Sequence, residues 1–189
     1  MEAKESMSTP TTSWMTIEEF DALPQRDDCT LELHEGELVE VTFPAWLHRK
    51  LQERIKALLQ DVVSGGEVMW EAGFQIGTAR PTKRSAGVAF ISAERAKAAL
   101  KAGVLEGAPE LIVEVLSPSN TPSQINRYAR LGFEYGTQQF WSVDPETQTI
   151  PVRMPDGNEA EYRLGDSIPL PEFMGGGMLH VSDVFEVGA

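Results

Sequence analysis

Glu110-Leu111-Ile112-Val113-Glu114-Val115-Leu116, followed at once by Ser117-Pro118-Ser119, decides the fold of this chain. Five of the seven residues are aliphatic and several are β-branched, the composition of a strand buried on both faces. A carboxylate sits inside that strand. Burying an ionised carboxylate without a partner costs several kcal/mol, so Glu114 is expected to be neutral, paired with a cation, or holding a metal.

The elements on either side follow from periodicity and punctuation. Thr16-Ile17-Glu18-Glu19 is a capping box and predicts a short helix over 17–23, ended by Pro24. Residues 29–34 and 37–43 read as strands joined by a turn at Glu35-Gly36. Leu47, Leu51, Ile55, Leu58, Leu59 and Val62 recur at helical spacing, so 45–63 is an amphipathic helix closed by Ser64-Gly65-Gly66. Strands are expected over 67–76 and 87–91, with a polar loop rich in Thr, Arg and Lys between them. Ser92 is placed to cap an alanine-rich helix to about Leu100. Residues 103–108 read as a linker, and 117–123 as a Ser/Pro-rich loop in which Ser123 caps a helix through Tyr135. A strand over 139–143, a turn at Asp144 to Thr147, its partner over 149–154, a strand over 159–164 and a Pro/Gly-rich tail complete the chain. The tail ends in a helical turn over 182–185. Strands interleaved with helices and long crossovers give an α/β protein built on a mixed sheet.

Length and charge narrow the function. The 189 residues suit a single domain, expected over 15–189 behind a flexible leader, 1–14. No apolar run approaches the length of a membrane span. A single cysteine, Cys29, allows neither an internal disulfide nor a multi-cysteine zinc site, which suits the cytoplasm. The net charge of −13 argues against a broad basic face for DNA, though not against basic groups confined to a cleft. There is no nucleophile elbow and no H-E-x-x-H, and His34, His48 and His180 are scattered. Gly175-Gly176-Gly177 lacks the ending of a phosphate loop. Carboxylates are the better lead: Glu32, Glu71 and Glu114 each lie in a strand, and two or three meeting across strands would suit Mg²⁺ or Mn²⁺. Strand alternation could equally turn Glu32 and Glu71 to solvent.

Longer stretches resemble a known family. Leu31-Glu32-Leu33-His34-Glu35-Gly36-Glu37-Leu38 is similar to the "ELidGEL" opening of the Uma2 family (DUF820), within the PD-(D/E)XK nuclease superfamily. His48 stands where that family often carries histidine. Residues 84–92 resemble its "R-x-P-D-V-x-x-x-S" strand, 109–119 its "PdLvvEVlSPS" strand, and 139–145 its "eyWlvDP" strand. The resemblance implies a restriction-endonuclease-like mixed β-sheet flanked by helices. It also implies metal-dependent phosphodiester hydrolysis, DNA as partner and a homodimer, for which open strand edges and the hairpin of Trp141 are suited. Its site would carry two glutamates, an aspartate and a displaced lysine around a divalent metal. Glu32 and Glu114 match the glutamates, as catalytic groups and metal ligands. Gly87 stands where the aspartate is expected, and Tyr128 stands in the catalytic position of the lysine. Arg84, Arg127 and Arg130 are the candidate DNA-binding residues. Arg127 or Arg130 could replace the lost charge and Glu71 the lost ligand. The expectation is thus a Mg²⁺- or Mn²⁺-dependent endonuclease with a degenerate, impaired or inactive site. The alternative is a metal-free, non-catalytic module binding nucleic acid or protein, with Glu114 protonated or paired to a base such as Arg127.

Overall fold

The computed structural model describes residues 14–43 and 45–187. Apart from Trp14, the expected leader lies outside the described residues. Trp14 itself is docked. Its ring lies 4.4 Å from the Arg80 guanidinium, and its Cβ would be 2.5 Å from any Cβ at Gly36, a position that also has φ +84°. Only glycine serves at that turn.

In chain order the elements are α1 (Ile17–Asp21), β1 (Thr30–His34), β2 (Glu37–Val41), α2 (Trp46–Val62), β3 (Gly66–Ile76), β4 (Thr82–Ser92), α3 (Ala93–Ala102) and β5 (Leu105–Glu106). There follow β6 (Leu111–Val115), α4 (Pro122–Glu134), β7 (Gln139–Val143), β8 (Thr149–Arg153) and β9 (Glu159–Arg163). The chain closes with β10 (Ser167–Pro169), a 3-10 turn (Glu172–Met174), β11 (Met178–His180) and α5 (Val181–Phe185). Nine strands form one mixed sheet, paired in the order β2-β1-β4-β6-β7-β8-β9, with β3 also paired to β4 and β5 paired to β3. The strand that carries Glu114, β6, is central, antiparallel to β4 and parallel to β7.

Several boundaries differ from expectation for physical reasons. The polar run Thr82-Lys83-Arg84-Ser85 is the first half of β4, paired with β3 throughout, and Thr82 is fully buried. Its polarity belongs to a cleft wall, not to a solvent loop. The helix after β6 starts two residues early, because Thr121 and Gln124 form a reciprocal capping box with Pro122 in the first turn. Trp141 is only 1% exposed, so its hairpin offers no aromatic surface to a partner.

Two cores flank the sheet. Leu51, Ile55, Leu59, Val88, Val113 and Trp141 pack on the α2 side. Phe74, Ala86, Ile112, Tyr128, Ala129 and Phe140 pack on the α4 side. Val88 and Ala86 therefore point to opposite faces although they are two residues apart, a spacing that regular alternation keeps on one face. The exchange happens at Gly87 and at the residue facing it, Glu71, whose φ is +47°. Both strands change phase together, so the β3–β4 register is the same before and after.

Candidate active site

Strand β4 is longer than its neighbours on one side. β1 pairs with its start, Leu33 opposite Lys83, and β6 with its end, Val88 opposite Val113. The two short strands abut along one edge and leave a gap at Ser85–Gly87. Both sequence-predicted glutamates fill that gap. Glu32 Oε1 accepts the Ser85 N–H at 2.8 Å, and Glu114 Oε1 accepts the Gly87 N–H at 3.1 Å.

The electrostatics differ at the two carboxylates. Burial pushes Glu32 up, but His34 Nε2 at 2.6 Å, the Arg84 charge and the Ser85 N–H together hold it below the ordinary range. Glu114 is pushed up to about 7, chiefly by burial and further by Glu32 and Glu71, with Arg84 and the Gly87 N–H opposing. Glu71 is raised too, by the shielding of its carboxylate, although the residue as a whole is exposed. Its Oε1 accepts from Gln52 Nε2 at 2.9 Å.

Arg84 is the cation of this cleft. Its Nε lies 3.8 Å from Glu32 Oε2 with the side chain 16% exposed, and its guanidinium sits 3.4 Å from the centre of the Tyr128 ring. Tyr128 is packed among Phe74 and Phe140, and burial raises its phenol well above 10, so it is neutral at physiological pH. Its hydroxyl lies 3.5 Å from the Ser85 carbonyl, at the limit of a hydrogen bond.

The structure thus brings Glu32, Glu114, Tyr128 and Arg84 together, with Glu71 at the rim. Arg127 and Arg130 lie elsewhere. Arg127 pairs with Glu35 in the β1–β2 turn, and Arg130 lines an open cleft of about 460 Å³ between α4 and the β8–β9 hairpin, with Phe133 and Arg153. Sequence reasoning missed Gln52, a buried amide on the apolar stripe of α2. The signal was a polar residue at helical spacing from Ile55 and Leu59.

A divalent metal does not fit the groups as they stand. Both Glu32 oxygens are engaged by donors, Gly87 offers no side chain, and the Arg84 guanidinium already faces Glu32. Among the described residues, no three His, Cys, Asp or Glu side chains converge as a cation cage.

These features define the class. The chain is similar to the crystal structure of a "putative nuclease belonging to DUF820" from Anabaena variabilis ATCC 29413. The TM-score is 0.79 and the identity 22%, with 92% of this chain and 98% of that chain covered. At that identity the likeness shows a shared fold and nothing more. A family model described as "Uma2: Putative restriction endonuclease" matches residues 17–183, and the chain belongs to the Uma2 family. No curated protein matches it. No helix of the described residues is long and apolar enough to cross a membrane.

Proposed function

We propose that this chain is a Uma2 nuclease-fold protein in which metal-dependent phosphodiester hydrolysis is impaired or lost. One observation carries the reading. Across from Glu114, where the family resemblance calls for an aspartate, β4 presents only the backbone N–H of Gly87. A donor stands where a metal site needs an acceptor. Tyr128 adds to this, because a neutral buried phenol supplies none of the charge of a lysine.

The experiment is calorimetry with Mg²⁺ and Mn²⁺ beside a plasmid-nicking assay, with Glu114→Gln as control. The expected result is no saturable site at millimolar metal and no cleavage above the control. A saturable Mn²⁺ site with cleavage that Glu114→Gln abolishes would overturn the proposal. The same loss of chemistry favours nucleic-acid binding without cleavage as the second reading. Arg127 and Arg130, exposed along α4, are the groups we propose for the phosphate backbone. Arg84 is committed inside the cleft.

The assembly we propose is a homodimer through β2. Among the described residues this strand pairs only with β1, and Leu38 and Val41 on it are exposed. Sedimentation is expected to show a dimer that Leu38→Lys dissociates; a monomeric wild type would sink the idea.

A further inference from the structure

Gln52 is 2% exposed, and its two amide atoms are unequally served. Nε2 donates to Glu71 Oε1 at 2.9 Å, whereas Oε1 is buried without a partner. The rest of the buried face of α2 is Leu51, Ile55 and Leu59, so an apolar residue would be the ordinary choice there. The amide is also placed against the phase change of the sheet. A Cβ built on Gly87 would stand 2.8 Å from Gln52 Nε2 and 3.1 Å from the Val113 carbonyl oxygen.

We infer that Gln52 is the plug of this cleft: its carboxamide fills the space that a side chain at position 87 needs, and gives Glu71 the donor that a cation would otherwise supply. The inference rests on the proposed reading of Gly87 and Tyr128 as the missing groups, and adds a third residue to them. Position 87 can regain a carboxylate only if position 52 yields. The Val113 carbonyl is backbone and cannot move aside, so the adjustment falls on the Gln52 side chain. That side chain is held on one side by Glu71 and on the other by its own burial. A substituted 87 therefore strands Glu71, displaces a buried amide, or both. Gln52 is a positioning residue in this account, acting through Glu71 and through volume.

The test has two parts. In the first, wild type, Gly87→Asp, Gln52→Ala and the double variant are melted in the presence of a chelator. Gly87→Asp is expected to lower the melting temperature by several degrees, and Gln52→Ala to restore at least half of that loss when combined with it. Where the aspartate variant does not fold, Gly87→Ala, which adds only the Cβ, gives the same cycle. Purely additive melting shifts overturn the inference. In the second part, Mn²⁺ affinity is compared by calorimetry between Gly87→Asp/Tyr128→Lys and the same pair carrying Gln52→Ala. The chain without Gln52 is expected to bind about tenfold more tightly or better, the scale on which groups around a metal's ligands act. Equal affinities overturn the plug while leaving the reading of Gly87 and Tyr128 intact. Tight Mn²⁺ binding by the wild type overturns both.

Discussion

Replacing Glu114 with glutamine is expected to stabilise the folded chain by about 3 kcal/mol at about pH 8, and to change it little at about pH 4. The sign follows from linkage. The Glu114 carboxyl is raised from 4.5 to about 7, so the folded chain keeps its proton where the unfolded chain has released it. The stability tied to that proton is fully present below 4.5 and is lost as pH rises through about 7. Above that, the wild type carries an ionised carboxylate in a shielded gap facing two further glutamates. Glutamine cannot ionise, and its Oε1 can still accept from Gly87. Alanine separates the two effects, because it leaves the Gly87 N–H without an acceptor, at a cost of about 1–3 kcal/mol. Urea denaturation at both pH values checks this. A Glu114→Gln chain no more stable than wild type in mild alkali would show that the charge is not costly. Glu32 runs the other way: its depressed carboxyl contributes stability above its ordinary value and loses it as pH falls, so the acid limb should survive in Glu114→Gln.

Arg84→Met is the counterpart, and it should destabilise by about 3–5 kcal/mol at about pH 8. Methionine keeps most of the stem but removes the charge that faces Glu32 at 3.8 Å and opposes the rise of Glu114. It also strips the flat cation from the Tyr128 ring. The loss should shrink towards about pH 5, where Glu114 is already protonated in the folded chain. Arg84→Lys keeps a positive charge but not the planar stack, and should fall between the two. A pH-independent loss below about 1 kcal/mol would refute the assignment of Arg84 as the cation of the cleft.

What sequence made legible was the part whose pattern is local. The apolar run of β6 and the stripe of α2 each specify their own burial, and the family resemblance located Glu32, Glu114, Gly87 and Tyr128 on elements that do converge. Arg84 reads from sequence as a DNA-binding candidate beside Arg127 and Arg130, because nothing local distinguishes a charge aimed into a cleft from one offered to a ligand. The pairing offered for Glu114, Arg127, is instead taken by Glu35, ninety-two residues away in the chain. The short strands β5, β10 and β11 have two or three residues each, too few to show alternation, and exist only through distant partners. The polar start of β4 has the composition of a loop for the same reason: its neighbours, not its composition, hold it in the sheet.

The gap in β4 changes what the two glutamates can be taken to record. Each lends a carboxylate oxygen to an amide that a neighbouring strand would otherwise have met. Folding alone calls for an acceptor at both positions, so the two glutamates by themselves do not report whether the chain cuts DNA. Position 87 gives that ladder no side chain, and Tyr128 meets it only at the 3.5 Å limit of a hydrogen bond to the Ser85 carbonyl. A test of the chemistry therefore belongs at those two positions rather than at the glutamates.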